Sequence, residues 1–311
     1  MWCSGWRLAA AVSNAGGLGL LGAGSMHPDT LCQHIRKCRA ATSAPFGVNI
    51  PLMYPQIEEI MQIVVDEGVK IVFTSAGSPS KWTDWLHARG VTVVHVVSSS
   101  RFAKKAEEAG VDAVVAEGFE AGGHNGREET TTLCLVPAVR AVTALPLIAA
   151  GGIATGEAML AASVLGADGV QVGTRFALTE ESSASSAFKD CCLHLEEGDT
   201  KLVLKKLAPV RLVRNGFRSA VEAAEASGAT DEELRALLGR GRAKRGIFEG
   251  DLEEGELEIG QAAALLCGKA VQTAAEVVKE LMEESQRAWQ RMHDAPDYGS
   301  YFSPNTSATA L

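Results

Sequence analysis

Short apolar segments alternate with helical segments over the first 176 residues of the chain. The apolar segments are continuous rather than alternating with polar residues, which indicates strands that are buried on both faces, as in a parallel sheet. Glycines end several of the helical segments just before the next apolar run, as is usual where a helix connects to a strand. The pattern predicts seven strands, near residues 18, 47, 71, 93, 113, 147 and 170.

This alternation predicts an α/β fold, and its spacing fits a (β/α)8 TIM barrel of roughly 250 residues. A barrel has eight strands, whereas the sequence supplies seven and opens directly on a helix. A parallel sheet of seven strands leaves two unpaired edges and a slot in the core. We therefore expect a barrel that lacks its first strand, with that strand upstream of Met1 as the preferred interpretation and another segment in the slot as the alternative.

The strand-helix alternation stops after Phe176, and helical segments follow. They are predicted near residues 181–194, 198–208, 217–226, 231–238 and 260–288. The predicted organisation is a barrel over 1–180 and a helical extension over 181–294 that packs on it. A polar tail over 295–311, with Pro, Ser, Thr and Gly, predicts disorder.

Composition and charge narrow the class of protein. The formal net charge of −9 argues against a general nucleic-acid or membrane-surface binder. The seven cysteines include no CxxC or zinc-ligand spacing, so reduced thiols and no metal site are expected. No signal peptide and no apolar run long enough to cross a bilayer are visible, and the cytoplasm is the predicted location.

Two neighbouring strands end in glycine, at Ala150-Gly151-Gly152 and at Gly173-Thr174. Bare backbone at two adjacent strand ends can hold a phosphate, because N–H groups face the anion and no Cβ blocks its approach. In (β/α)8 barrels the loops after the seventh and eighth strands commonly do this. Each glycine alone would more often serve a tight turn, but the pair on consecutive strands favours a phosphate site.

A glycine-framed histidine follows the strand near residue 113, in Ala121-Gly122-Gly123-His124-Asn125-Gly126. The glycines let the backbone approach a flat ligand, and an imidazole there can act as a base or a hydrogen-bond donor. We expect His124 to be catalytic or to contact substrate, and an exposed loop histidine is the alternative.

Two further side chains stand at strand ends. Asn49 can bind the edge of a heteroaromatic ring through its carboxamide, although a turn-forming Asn before Pro51 is nearly as good an explanation. Glu117 can bind a ribityl hydroxyl or a ring N–H, although an exposed carboxylate is the alternative.

These residues, in this order, resemble the nitronate monooxygenase (2-nitropropane dioxygenase) family, which includes the enoyl-acyl-carrier-protein reductase II enzymes. The resemblance covers about residues 5–290. It is carried by the segments Asn14-Ala15-Gly16-Gly17-Leu18-Gly19, Phe46-Gly47-Val48-Asn49, Glu117-Gly118, Ala121-Gly122-Gly123-His124, Ala150-Gly151-Gly152-Ile153-Ala154, Gln171-Val172-Gly173-Thr174-Arg175-Phe176, Gly250-Asp251 and Gly260-Gln261.

The resemblance implies an FMN-dependent oxidoreductase, with His124 as the active-site histidine beside the flavin. It implies that the FMN phosphate lies at Ala150-Gly151-Gly152 and Gly173-Thr174. Asn49, Glu117 and Gly122 are expected near the ring and the ribityl chain, and Gln171 is expected to contact the cofactor.

Oxidation of alkyl nitronates with O2 is the first expected activity. The alternative is reduction of an enoyl thioester with NAD(P)H, for which an acyl-carrier protein would be a partner and the basic segment Arg240–Arg245 an entrance. That segment is otherwise a solvated basic face, neutralised by the acidic residues near Glu249–Glu258. A small-molecule substrate is expected under both activities, and a homodimer is a further expectation.

Two departures from the family pattern bear on the activity. The family's first strand carries a Gly-Gly-Met or similar segment that touches the flavin, and this sequence begins at or just after that point. Some nitronate oxidisers have a lysine near the flavin where this sequence has Val96. A truncated, inactive family member is therefore a third alternative.

Overall fold

The computed structural model describes residues 2–294, and the tail with predicted disorder lies outside the described residues. The described part contains ten strands, which are β1 (Gly19–Gly22), β2 (Phe46–Pro51), β3 (Ile71–Ser75), β4 (Thr92–Val97), β5 (Ala113–Glu117), β6 (Gly123–His124), β7 (Leu147–Ala150), β8 (Gly169–Gln171), β9 (Thr200–Val203) and β10 (Val210–Val213).

Helices connect and follow these strands. The α-helices are α1 (Trp6–Asn14), α2 (Pro28–Ala41), α3 (Ile57–Asp66), α4 (Thr83–His87), α5 (Ser100–Glu108), α6 (Thr132–Arg140), α7 (Gly156–Val164), α8 (Thr174–Ala177), α9 (Ser186–Cys192), α10 (Gly216–Ala226), α11 (Asp231–Leu238) and α12 (Ala274–His293). Short 3-10 helices span Ala23–Ser25, Pro79–Lys81 and Gln261–Leu266, and a π-helical turn spans Lys244–Phe248.

Seven strands form one parallel sheet in the order β1-β2-β3-β4-β5-β7-β8. One set of side chains, including Phe73, Val94 and Val115, forms a cluster inside the curled sheet. Their neighbours on the same strands, such as Val72 and Val114, pack against the surrounding helices. Burial on both faces explains the continuous apolar runs. The seven predicted strands and the incomplete (β/α)8 barrel are confirmed.

The segment before α1 lies between β1 and the chain that follows α8. The carbonyl oxygen of Ser4 accepts a hydrogen bond from the N–H of Gly22 at 3.0 Å, and the carbonyl oxygen of Cys3 accepts one from Ser183 at 2.9 Å. The side chain of Ser4 also donates to the carbonyl oxygen of Leu20. The segment before α1 therefore supplies hydrogen-bond partners for two backbone groups at the edge of β1, the N–H of Gly22 and the carbonyl oxygen of Leu20.

The prediction of a helix over 198–208 is wrong, because this region forms β9 and the turn into β10. The two strands pair antiparallel, and β10 also pairs with β6 to make a three-stranded sheet. Val203 and Leu212 are buried with Phe217 of α10 in a core of their own. Pro209 has no N–H to continue a helix, which favours a strand after it. The extension is thus a mixed α/β unit.

The predicted helical stretch over 260–288 contains a 3-10 helix and, from Ala274, the helix α12. α12 packs against α7 and α1, so it stands in the outer helical layer of the barrel. Arg175 joins this helix to the barrel, because its guanidinium donates to the carbonyl oxygen of Ala154 at 2.7 Å and pairs with Glu280. The division into a barrel over 1–180 and an extension over 181–294 stays a prediction.

Candidate functional site

A cavity of about 250 Å³ opens at the carboxyl ends of β5, β7 and β8. Its volume is near the lower end of ligand pockets, roughly 300 Å³. Eight of the residues predicted from sequence line it, and they are Glu117, Gly122, Ala150, Gly151, Gly152, Gln171, Gly173 and Thr174. The structure therefore brings together the two glycine-bearing strand ends and the end of β5.

Four backbone N–H groups in this cavity wall have no acceptor among the described residues. They belong to Gly151, Gly152, Gly173 and Thr174. Gly173 is exposed and the other three residues are half-buried, so these N–H groups are free to bind water or a ligand that enters the cavity. Convergent N–H groups suit an anion such as a phosphate.

A backbone cradle is formed by Gly151, Gly152, Gly173 and Thr174, and its three glycines are required for different reasons. Gly151 and Gly152 have φ values of +91° and +74°, in the left-handed region that favours glycine. Gly173 has a φ of −99°, which any residue adopts, and a Cβ built on it would meet no atom within 4 Å. Neither backbone conformation nor packing of the described residues explains glycine at 173, whereas room for a ligand does.

A segment from the extension, Glu256–Gly260, closes one side of the cavity. A Cβ on Gly122 would lie 2.4 Å from the carbonyl carbon of Ile259, so the two backbones are in direct contact. The N–H of Gly260 donates to the hydroxyl of Thr174 at 3.1 Å. Cys3, Glu258 and Ile259 also line the cavity, and sequence reasoning missed them as site residues. For Glu258 and Ile259 the signal in the sequence was the adjacent Gly260-Gln261 motif, and Cys3 had none.

Glu117, at the end of β5, is the acidic residue that sequence reasoning placed in the site. It is half-buried and lines the cavity. Burial raises the pKa of its carboxyl from 4.5 to about 7. The group is therefore divided between a neutral hydrogen-bond donor and a carboxylate near neutral pH.

The loop after β5 is held by polar contacts that come from other elements. The carboxylate of Glu120 accepts hydrogen bonds from the N–H of Thr132 at 3.0 Å and from its hydroxyl at 3.2 Å. The buried guanidinium of Arg211, on β10, donates to the carbonyl oxygen of Phe119 at 2.6 and 3.1 Å. These contacts fix the cavity wall formed by the loop between Glu117 and Gly122.

Asn49 and His124 do not line the cavity. Asn49 lies opposite Phe73 in the register of β2 and β3, which places it with the inward-facing positions of the sheet. His124 is exposed on β6, where it pairs with Val210 of β10. It is two residues from Gly122, which does line the cavity. Their predicted roles stay predictions.

The basic segment Arg240–Arg245 is paired with nearby acidic residues. Lys244 lies 2.9 Å from Glu249, and Arg245 pairs with Asp251. Arg242 donates to the carbonyl oxygen of Glu254 at 2.7 Å. This arrangement matches the alternative of local neutralisation within the extension.

Within residues 2–294, no group of three or more His, Cys, Asp or Glu residues is arranged to hold a metal ion. Over the same range, none of the helices is both apolar enough and long enough to traverse a bilayer.

The family model "nitronate monooxygenase" matches residues 1–62 and 55–284 of the chain. The chain belongs to the nitronate monooxygenase family. A probable nitronate monooxygenase from Staphylococcus haemolyticus is 34% identical over 239 residues, which is 62% of this chain and 67% of the relative. The match supports classification as an oxidoreductase.

Another relative is a Mycobacterium tuberculosis protein named (3aS,4S,5R,7aS)-5-hydroxy-7a-methyl-1-oxo-octahydro-1H-indene-4-carboxyl-CoA dehydrogenase. It is 37% identical over 190 residues, covering 60% of this chain and 53% of the relative. A Rhodococcus jostii protein of the same name gives the same identity and coverage. The chain spans about half the length of these two relatives.

Solved structures show the same fold over most of the chain. FabK from Thermotoga maritima matches with a TM-score of 0.89 and 38% identity, over 94% of this chain and 92% of that one. Nitroalkane oxidase from Streptomyces ansochromogenes matches with a TM-score of 0.81 and 28% identity, over 94% of each chain.

Proposed function

We propose that this chain is an FMN-dependent oxidoreductase that holds the cofactor in the cavity at the ends of β5, β7 and β8. The observation that carries the proposal is the cradle of unpaired N–H groups at Gly151, Gly152, Gly173 and Thr174. Backbone N–H groups bind phosphate without a charged side chain. This suits a chain whose net charge of −9 opposes an anion at long range.

Different residues of the cavity wall suit different portions of the flavin. The cradle would hold the phosphate, and the open space at Gly173 would admit it. Glu117 and Gln171, in the same cavity wall, would hydrogen-bond the polar atoms of the ribityl chain or ring. When bound, the flavin supplies hydride and electron transfer, while the chain binds and orients the substrate and excludes water.

A flavin titration with two alanine variants tests this proposal. Gly173→Ala places a methyl group in the proposed phosphate position, and we expect the Kd for FMN to rise about tenfold or more. Gly169→Ala is the matched control, because a Cβ there also meets no atom within 4 Å but the residue does not line the cavity. The measurement is the change in flavin absorbance or fluorescence on binding.

Equal FMN affinity in the wild type and Gly173→Ala would contradict the cradle. Absence of FMN binding by the wild-type chain would contradict the proposed function and support an inactive family member. Unchanged thermal unfolding of the variants without flavin establishes that any loss of affinity is local.

Two reactions are candidates for the flavin. Nitronate oxidation with O2 is supported by the family model and by the Staphylococcus relatives. Reduction of an enoyl thioester with NAD(P)H is supported by FabK, an enoyl-acyl-carrier-protein reductase II, whose structure is more similar to this chain than that of nitroalkane oxidase. It also agrees with the coenzyme A thioester in the name of the mycobacterial relative. O2 uptake with an alkyl nitronate and NADH oxidation with a crotonyl thioester separate the two reactions.

We further propose that His124 contacts the reacting substrate. It follows Gly122 and Gly123 at the cavity rim, and its exposure leaves the imidazole accessible. We expect His124→Ala to lower kcat at least tenfold in whichever of the two assays the wild type is active, with a Kd for FMN within about twofold. Unchanged turnover in a flavin-loaded variant would contradict this role.

A further inference from the structure

Glu258 is a carboxylate that the extension carries into the cavity wall. Backbone contacts fix its segment on both sides. Glu258 forms a β-bridge with Leu212, and the N–H of Val213 donates to the carbonyl oxygen of Leu257 at 2.9 Å. On the other side, the N–H of Gln261 donates to the carbonyl oxygen of Glu120 at 2.9 Å. The position of Glu258 is therefore set by the fold.

The carboxylate of Glu258 has no hydrogen-bond or ion-pair partner among residues 2–294. Its Oε2 lies 2.9 Å from the position that a Cβ on Gly123 would take. Gly123 has a φ of +74° as well, so glycine there both permits the turn and leaves room for the carboxylate. Glu258 is half-buried, so its carboxylate borders the cavity without a partner in the described part of the chain.

The cavity as a whole carries acidic side chains without basic ones. Glu117 and Glu258 line it, and no Lys, Arg or His of the described part of the chain does. Close by, Glu256 is buried, and its pKa is raised to about 8 by that burial and by the charge of Glu258. The charge of Glu258 thus acts on Glu256, and no basic side chain of the described residues lines the cavity wall to offset it.

These observations bear on the charge of the substrate. An anionic group that enters beside an unpaired carboxylate in a half-buried site is repelled, and like charges in such contacts weaken binding by a factor of ten or more. The cradle offers N–H groups for one anion, which the proposed function assigns to the cofactor phosphate. The remaining wall is suited to an uncharged group.

We propose that Glu258 is a specificity-determining residue that favours uncharged substrates and disfavours anionic ones. The proposal rests on the proposed function, since it assigns the cradle to FMN and the wall at Glu258 to the substrate. It favours an uncharged α,β-unsaturated carbonyl group, such as that of a thioester, over a nitronate anion.

The test uses two ligands of the same shape and different charge, crotonamide and crotonate, titrated into the FMN-loaded protein and followed by the flavin absorbance spectrum. We expect the wild type to bind crotonamide about tenfold or more tightly than crotonate. In Glu258→Gln, which removes the charge and keeps the shape, this ratio should fall to within about twofold.

The matched control is Glu232→Gln, which makes the same change of net charge on the exposed first turn of α11 and should keep the wild-type ratio. A wild type that binds crotonate as tightly as crotonamide, that binds neither ligand, or whose ratio survives Glu258→Gln overturns the proposal. The wild-type ratio needs no variant, so a wild type without this preference overturns the proposal even if Glu258→Gln fails to fold. Failure to bind FMN would instead overturn the proposed function.

Discussion

At the scale of single residues, the chain places several titratable groups where burial changes their behaviour. The position of Glu117 at the end of a strand was predictable, but its raised pKa was not, because burial depends on elements far away in sequence. Glu258 had no signal of its own, since its place in the cavity follows from the pairing of its segment with Leu212. Sequence reasoning identifies residues at strand ends more readily than residues that a distant segment contributes.

The buried imidazole of His95 is expected to make the free energy of unfolding depend on pH. It is 5% exposed, its Nδ1 lies 2.7 Å from the hydroxyl of Thr74, and burial lowers its pKa from 6.5 to about 4. As the pH falls below 6.5, the unfolded chain takes up a proton that the folded chain does not bind until about pH 4. His95 therefore makes stability fall across this window, by at most about 3 kcal/mol.

Urea denaturation at pH 7 and pH 5 measures this dependence. His95→Gln should give a smaller loss of unfolding free energy between the two pH values than the wild type, whatever its stability at pH 7. The control His194→Gln removes an exposed histidine and should keep the wild-type dependence. An identical pH dependence in His95→Gln would show that the buried imidazole is not responsible.

At the scale of elements, the strands of the barrel were predictable and the second sheet was not. β2 and β4 are apolar runs bounded by helix ends, and each is visible within a short window of sequence. β6 has only two residues, and β9 lies in a segment where lysines flank a short apolar run, at 200–206, so neither shows the continuous apolar pattern of the barrel strands. Both are strands because β10 pairs with them. Long-range pairing overrode the local preference that suggested a helix at 198–208.

Ion pairs of Arg175 attach α12 to the barrel and are expected to contribute to stability. Arg175 is buried and pairs with Glu280 on α12, with Glu284 3.8 Å away. Burial alone would raise the pKa of Glu280, but hydrogen bonds from Gln272 and Lys269 and the charge of Arg175 outweigh it and lower the pKa to about 2. Arg175→Met removes the only buried member of this network, and we expect a loss of about 2–3 kcal/mol of unfolding free energy.

Chemical denaturation compares this variant with Lys279→Met, which breaks an exposed pair with Glu283 on the same helix. The control should lose less than about 0.5 kcal/mol. Equal losses in the two variants would mean that Arg175 does not anchor α12.

At the scale of the whole molecule, the α/β class, the seven parallel strands and the face that carries the cavity were predictable from the sequence. They follow from periodicity and from the rule that parallel strands present their carboxyl ends at one face. The closing wall of the cavity was not predictable, because Cys3 comes from the segment before α1 and Glu258 and Ile259 come from the extension. Their assembly depends on how the extension and the first residues pack on the barrel.

We propose that the unpaired backbone N–H groups in this cavity bind the phosphate of a flavin. Parallel titrations of the wild-type protein with FMN and with riboflavin, which lacks the phosphate, test it most directly. The cradle predicts that FMN binds at least about a hundredfold more tightly than riboflavin, and that Gly173→Ala removes much of this difference. Equal affinity for the two flavins, or binding of neither, would contradict it.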